Sequence, residues 1–462
     1  MAAEETQDWK RMFRISTNWR SGMMIDLRAN VLLIPFFFSK GRCHASILDD
    51  MSSSFPLGDV HQSPTQQVRS SGQEQGRHTV PRIILAGIYT IISSPQSSQS
   101  PSILVLSASG SKHIVHVAPI RKQHLVRVTA LAVDQSSRTS ANLYIAACLS
   151  NGDIYVHELH SHPRKHYYAP PFKTPRTAPI TQVAYCHPVL VTLSESFTLS
   201  VYDLTHEGIQ LVHVLTSFTS FPPSSLVLTM PESQTYKLIL TYASPVYPAH
   251  WSVGVTEVIL SNPTLHSPTS AFTSPTRGPS LLLSTRSTRA FDIPAGWIDN
   301  SKLRVVREQW GRKVGSVAGT QTDGRWVVLA PAVRGEVRPT GVFTPASLPL
   351  QLYRLSSPPL RAGAGAAPKL TFVRSLLGQT GPVSALALAD GRCVSLGVNG
   401  SVWVWDLENG CGTEVASSTS ASNWSESGEN DPSALRGTIA FDERRIISAD
   451  ATGDVMVRNF DV

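Results

Sequence analysis

Apolar and polar positions alternate with a period of two along many short runs of this chain, as at 154–159 and 402–407. Turn-forming Gly, Pro, Asn and Ser separate these runs, and the chain contains 30 glycines and 32 prolines. Period-two alternation between turn residues is typical of strands that bury one face. The pattern therefore predicts an all-β protein built from many short strands.

A turn glycine followed seven residues later by Leu or Phe recurs three times along the chain. A fourth copy keeps the same register, with Phe197 in the place of the glycine and Leu204 seven residues after it. Asn-Gly and Thr-Gly turns supply the positive φ that a tight connection between strands needs. The pairs with glycine are Gly152 and Leu159, Gly400 and Leu407, and Gly453 and Phe460.

Two further short apolar runs precede each turn, and a fourth run such as 209–215 or 369–375 often follows the repeat. Four antiparallel strands in about 40 to 45 residues form the blade of a propeller. We therefore expect a seven-bladed β-propeller, with 281–310 belonging to the fourth or the fifth blade. The seven candidate blades are 80–120, 124–160, 179–216, 224–262, 311–356, 369–408 and 435–461.

The remaining segments complete the domain organisation. The last candidate blade ends after a third strand, so we expect the apolar run 31–38, within 31–50, to close the ring as its fourth strand. Segments rich in Ser, Gln, Pro or Gly cannot bury an apolar face, and we expect them to be disordered. The segments are a short N-terminal helix in 1–30, a linker at 51–79, and a propeller at 80–462 with insertions near 261–289, 357–368 and 412–434.

Trp405-Asp406, at the end of one repeat, resembles the dipeptide that closes a WD repeat, and Tyr202-Asp203 is similar. His157-Glu158 stands in the same place and departs from that pattern. The resemblance implies a divergent WD-type propeller. The Gly-His pair that opens a WD repeat is absent, since the chain reads Gly378-Gln379 before Val383. The His–Asp network of such blades is therefore not expected to be complete.

The N-terminal stretch 8–22 resembles the segment that follows the F-box in F-box/WD-repeat proteins, through Trp9, Phe13, Trp19 and Arg20. The resemblance implies a substrate-recognition subunit of an SCF-type cullin ubiquitin ligase, in the ubiquitin-conjugation pathway, with a Skp-type adaptor and a cullin as partners. The F-box itself is absent from this chain and is expected upstream of Met1. The alternative is an ordinary amphipathic helix docked on the propeller.

Composition and charge restrict the compartment and the partners. The five cysteines are scattered without a CxxC pair, the N-terminus is not a signal peptide, and the eight apolar residues of 31–38 are too few to span a bilayer. We therefore expect a cytoplasmic or nuclear protein that does not bind a membrane. The net charge of +7 fits a solvated surface, an acidic or phosphorylated partner, or nucleic acid, which we regard as the weakest of the three.

No motif of nucleotide, cofactor or protease chemistry occurs in the sequence, so we predict an interaction protein that is not an enzyme and uses no cofactor. The histidines at 157–166 fit a solvated basic loop better than a metal site. Basic residues lie near the connections between blades, where they would bind protein substrates, phosphorylated or not, or serve solubility alone. A scaffold without a ubiquitin role is the alternative function. The basic residues are Arg121, Lys122, Lys173, Arg176, Arg312, Lys313 and Arg436.

Overall fold

Seven antiparallel sheets follow one another along the chain in a computed structural model of the protein. Six sheets have four strands in sequential order, and the seventh has three among the described residues. The structure describes 80–117, 125–136, 143–159, 165–168, 178–204, 208–232, 235–261, 282–293, 296–332, 348–358, 367–379, 381–417, 437–449 and 455–460, with the main chain alone at 165–168 and 232. The predicted all-β, seven-bladed propeller is confirmed.

The blades are numbered one to seven in chain order. Blades one to three comprise β1 (Ile83–Ala86), β2 (Tyr89–Ser93), β3 (Ser102–Ser107) and β4 (Lys112–His116); β5 (Val128–Val133), β6 (Tyr144–Leu149), β7 (Ile154–Glu158) and β8 (Lys165–Tyr168); and β9 (Ile180–Cys186), β10 (Val189–Ser194), β11 (Thr198–Asp203) and β12 (Gln210–Thr216). Blades four and five comprise β13 (Phe221–Glu232), β14 (Thr235–Val246), β15 (His250–Ser261) and β16 (Leu282–Arg289); and β17 (Val317–Thr322), β18 (Trp326–Pro331), β19 (Leu350–Ser356) and β20 (Lys369–Leu376). Blades six and seven comprise β21 (Val383–Ala389), β22 (Arg392–Gly397), β23 (Val402–Asp406) and β24 (Cys411–Ala416); and β25 (Thr438–Phe441), β26 (Arg445–Ala449) and β27 (Val455–Asn459).

The first strands of the blades form a closed ring, because each contacts the first strand of the next blade and β25 contacts β1. The hydrophobic core is divided accordingly into seven clusters, and each cluster lies between two neighbouring blades. The last of them joins Ile447 and Val455 of blade seven to Ile83 and Ile92 of blade one. Each blade therefore buries its two faces only by packing against its neighbours.

The turn between the second and third strands has the conformation that the repeat predicts. Gly152 and Gly400 have φ of +84° and +80°, and Phe197 at the equivalent position has φ of +57°. A left-handed conformation is unfavourable for a residue with a bulky side chain. Phe197 is nevertheless buried, with its ring edge-on to Tyr242 at 6.2 Å between centroids. Burial of the Phe197 ring against blade four offsets the backbone strain at Phe197.

A neutral hydrogen-bond network replaces the His–Asp network inside blade six. Trp405 Nε1 donates to Ser395 Oγ at 3.2 Å, and Ser395 Oγ donates to Gln379 Oε1. Gln379 Nε2 donates to Ser401 Oγ at 3.5 Å, and Ser401 Oγ donates to Asn399 Oδ1 at 2.7 Å. Gln379 thus stands where the WD family places histidine, and its amide both accepts and donates as a neutral histidine does.

Side chains on one face of the ring connect neighbouring blades through the turns between first and second strands. Asp134 Oδ1 of blade two accepts from the His187 main-chain N–H at 2.8 Å, and the His187 carbonyl accepts from Tyr236 Oη of blade four at 3.1 Å. Arg445 of blade seven donates to the Gly87 carbonyl of blade one at 3.1 Å. We call the other face, where each blade connects to the next, the connector face.

Several predicted boundaries need correction. Leu282–Arg289 forms β16, the fourth strand of blade four, so the insertion predicted near 261–289 overlaps a strand. β20 belongs to blade five and not to blade six, and Cys411–Ala416 forms β24 where an insertion was predicted from 412. Exposed and partly buried positions alternate along β16, and its residues other than Leu282 and Leu283 are all small or polar, so the sequence alone does not mark it clearly as a strand.

The segment 281–310 also contains a helix, α1 (Asn300–Gly311), in the connection between blades four and five, which the sequence analysis missed. The predicted N-terminal helix lies outside the described residues, as do the predicted ring-closing run 31–38 and the linker 51–79. In the part of the chain that the structure describes, no helix combines the length and the apolar composition needed to cross a bilayer.

Candidate interaction surface on the connector face

Of the predicted basic site residues, Arg312 and Lys313 lie in the described structure, directly after α1 on the connector face. The other members lie outside the described residues. Those residues are Arg121, Lys122, Lys173, Arg176 and Arg436, together with Trp9, Phe13, Trp19 and Arg20 of the N-terminal stretch.

Blade four supports the connection that carries α1. Its first three strands have 12 residues each, whereas β16 pairs only with 254–260 of β15. The start of β15 instead pairs with the connection itself. Trp251 and Val314 exchange two main-chain hydrogen bonds of 2.8 and 2.9 Å, and Ala290 N donates to the Val253 carbonyl at 2.9 Å. The long strand therefore fixes both ends of the connection.

The N-terminus of α1 is capped by Asp299. Its Oδ1 accepts from the Lys302 main-chain N–H at 2.8 Å and from Ser301 Oγ at 2.7 Å. The hydrogen bond from the Lys302 main chain, followed by that from Ser301, holds the pKa of the Asp299 carboxyl below its ordinary value. Lys302 Nζ donates in turn to the Trp297 carbonyl at 3.0 Å, so the residues before the helix are also fixed.

Two cationic side chains at the C-terminal end of α1 lie over aromatic rings. Lys313 Nζ lies 4.3 Å from the centroid of the Trp310 ring, and Arg312 Cζ lies 4.3 Å from the centroid of the Phe372 ring in β20. The Arg312 carbonyl also accepts from Gln351 Nε2 at 2.8 Å. The Arg312 contact thus holds the end of the helix on blade five, whereas Lys313 lies over Trp310 of the helix itself. Both cation–π contacts engage part of the positive charge.

Exposed aromatic side chains on the connector face of blade four were not among the predicted site residues. Trp297 is 86% exposed, and Tyr247 in the turn after β14 and Phe218 in the connection before β13 are almost fully exposed. Trp310 lies 6.0 Å from the His250 ring and 5.8 Å from the Phe291 ring. A tryptophan in a polar connecting segment was the available signal, since such residues are enriched at protein interfaces.

The three buried thiols among the described residues, Cys148, Cys186 and Cys393, are placed for packing rather than for chemistry. Burial, followed by the charge of Asp134, raises the pKa of Cys186 to about 11, and burial raises the pKa of Cys148 and Cys393. Raised values suppress the reactive thiolate. Among the described residues no group of three His, Cys, Asp or Glu could hold a metal ion. His157 lies in strand β7 rather than in the predicted loop.

Comparison with known proteins supports the propeller, and one family model matches part of the chain. A family model described as the β-propeller of the F-box protein pof12 matches residues 97–292, from the turn before β3 to the residues after β16. No curated protein matches the chain in sequence.

Similar solved structures include the Cps50 (Swd1) β-propeller domain of Myceliophteria thermophila, with 10% identity, coverage of 82% of this chain and 95% of that one, and a TM-score of 0.45. The WD40 β-propeller domain of Doa1 has 12% identity, coverage of 83% and 94%, and a TM-score of 0.40. The geometry and the matched segment together make this chain a seven-bladed propeller with a part similar to the propeller of an F-box protein.

Proposed function

We propose that the chain is a substrate-recognition subunit of an SCF-type cullin ubiquitin ligase, in which the propeller holds the target protein. The match of 97–292 to the propeller of an F-box protein carries the proposal. The N-terminal stretch with Trp9 and Trp19 supports it, because it resembles the segment after an F-box. In this proposal the other subunits supply the chemistry, and the protein works in the cytoplasm, the nucleus or both.

The proposed arrangement assigns different tasks to the two parts of the chain. The N-terminal region would connect the propeller to a Skp-type adaptor and through it to the cullin. The connector face would bind substrate, since it combines exposed aromatic rings with arginine side chains. Tryptophan, tyrosine and arginine are the residue types that contribute most to binding energy at protein interfaces.

Co-purification tests the ubiquitin role directly. The protein expressed from its full-length gene is expected to retain a Skp-type adaptor and a cullin, and the double variant Trp9→Ala/Trp19→Ala tests the contribution of the N-terminal stretch. A variant with Phe218→Ala on the propeller serves as the control and is expected to retain both partners. Failure of the full-length product to retain the adaptor would favour the alternative, a propeller scaffold without a ubiquitin role.

A phosphorylated substrate is the finer version of this proposal. Arg121, Lys122, Lys173, Arg176 and Arg436 would bind phosphate groups through charge-assisted hydrogen bonds. The double variant Arg176→Ala/Arg436→Ala leaves the Arg312–Phe372 contact intact, and we expect it to weaken the binding of phosphorylated substrate. Equal binding of phosphorylated and dephosphorylated substrate by the unaltered protein would contradict this version.

A further inference from the structure

We propose that α1 and the preceding Trp297 form a docking surface for an acidic segment of a partner protein that carries at least two large apolar side chains. The surface is defined here as Trp297, Leu303, Arg307 and Trp310. The inference goes beyond the ubiquitin role, because it holds equally for a scaffold, and none of these four residues was predicted from the sequence.

The surface exposes apolar side chains that the fold leaves partly or largely uncovered. No residue of α1 is buried, and Leu303 and Trp310 are seven positions apart on one face of the helix, both exposed. Trp297 immediately before the helix is 86% exposed. Clustered exposed apolar side chains, tryptophan above all, mark interaction sites, because covering them recovers binding energy at no cost to the fold.

The surface is held in place before any partner arrives. Asp299 caps the helix, and Lys302 Nζ binds the carbonyl of Trp297 itself. At the other end the Trp310 ring lies between His250 and Phe291. Side chains that are already ordered lose less conformational entropy on binding, which favours affinity.

The charges of the segment favour an acidic partner. Residues 296–313 contain five cationic side chains and two carboxylates, Asp299 and Glu308. Asp299 is engaged in the cap, and Glu308 lies 3.2 Å from Arg304 and 3.7 Å from Arg312. Arg307 lies between Leu303 and Trp310 on the exposed face, and no described carboxylate lies within ion-pair distance of it. A carboxylate of the partner would complete this position.

A protein segment fits the surface better than the two other ligands that favour cations. A nucleic acid would require several cations in line with successive phosphates, whereas the helix presents one arginine between two apolar side chains. A membrane-binding helix carries a continuous apolar face with basic residues on its other side, whereas Arg307 interrupts the apolar face here. Both ligands are treated as outcomes of the test.

The test pans a phage-displayed library of random 16-residue peptides on the full chain. Enriched peptides are expected to combine Asp or Glu with Leu, Phe or Trp. In fluorescence anisotropy their affinity should fall at least about tenfold with Trp297→Ala and with Arg307→Glu. The matched controls are Ile88→Ser and Arg444→Glu, an exposed apolar and an exposed basic residue on the opposite face, which should leave the affinity unchanged.

Other outcomes would overturn the inference. They are an absence of enriched peptides, enrichment of basic or neutral peptides, and peptides whose affinity the α1 variants do not change. Stronger binding to phosphatidylserine vesicles or to a single-stranded RNA, lost with Arg307→Glu, would assign the surface to those ligands instead. Adaptor retention, measured on the same variants, separates this result from the ubiquitin proposal, since the α1 variants should retain the adaptor.

Discussion

Blade six and blade four both pack between two neighbouring blades, but they differ in strand length and in the polar groups that they bury. Blade six has strands of five to seven residues and a neutral polar interior, in which Ser395 joins Trp405 to Gln379. Blade four has three strands of 12 residues, and its Glu257, only 2% exposed, forms an ion pair of 2.9 Å with Lys237.

The difference separates two tasks within one ring. Blade six keeps the repeat pattern. Its turn at Gly400, its Trp405 and the hydrogen bonds of Ser395 all stabilise the blade itself. Blade four extends its strands beyond its outer strand and uses the extra length to support α1 and its exposed aromatic residues. Regular blades therefore maintain the ring, and the least regular blade carries the candidate interaction surface.

The largest effect is expected for ring closure, where blade seven is compared with blade six. Val404 in β23, which pairs with β24, is 6% exposed in the cluster between blades six and seven. Val457, its counterpart in β27, is 40% exposed, and no described strand pairs with the outer edge of β27. If 31–38 covers this edge, its deletion should lower Tm by about 5 °C or more. Scanning fluorimetry measures this, and an unchanged Tm would contradict closure by that run.

Truncating the tryptophan of blade six should produce the next largest loss. Trp405 is fully buried between blades five and six, so Trp405→Ala should reduce the free energy of unfolding by about 3–5 kcal/mol. Trp297→Ala is the matched control and should change it by less than about 0.5 kcal/mol. Urea denaturation provides both values, and equal losses would show that the two tryptophans do not differ in structural role.

Removing the ammonium group of Lys237 in blade four should leave the Glu257 carboxylate buried without its partner. Lys237→Met is therefore expected to cost about 2–3 kcal/mol, less than for a fully buried pair because Lys237 is partly exposed. The double variant Lys237→Met/Glu257→Gln should recover most of the loss in urea denaturation. No recovery would mean that the ion pair is not the reason for the effect.

Breaking the neutral network of blade six should have a smaller effect. Ser395→Ala leaves Trp405 Nε1 without its acceptor and Gln379 Oε1 without its donor, at an expected cost of about 1–2 kcal/mol. Ser384→Ala is the control, since that hydroxyl makes one long hydrogen bond of 3.3 Å to the Leu396 carbonyl. Equal losses in urea denaturation would contradict a special role for the network.

The smallest effect is expected at α1. Asp299→Ala removes the cap, so the amides of 301–304 should exchange faster in hydrogen–deuterium exchange while Tm stays unchanged. Because the pKa of Asp299 is lowered, its contribution is complete above the ordinary carboxyl pKa and is lost as pH falls through the lowered value. Unaltered exchange in the variant at neutral pH would show that the cap is not needed.

The sequence alone was sufficient to predict the architecture, because each copy of the repeat has the same turn and the same alternation of apolar residues. The interval from Gly400 to Leu407 and its copies predicted the turns, and the positive φ of Phe197 shows that the register held even where glycine was replaced. Outer strands such as β16 and β20 were assigned wrongly or missed, since an exposed strand needs few apolar residues and its place depends on hydrogen bonds to a neighbour.

The sequence by itself determined the class of fold, the number of blades and the positions of the Gly-to-Leu/Phe repeats. All three follow from local patterns of turns and of alternating apolar residues. Only the tertiary structure decided where α1 lies, which aromatic rings are exposed, and that Arg312 and Lys313 rest on Phe372 and Trp310. The contacts of Arg312 with Phe372 and of Trp310 with His250 join residues far apart in the chain. No local pattern indicates which distant side chains a closed ring of blades will bring together.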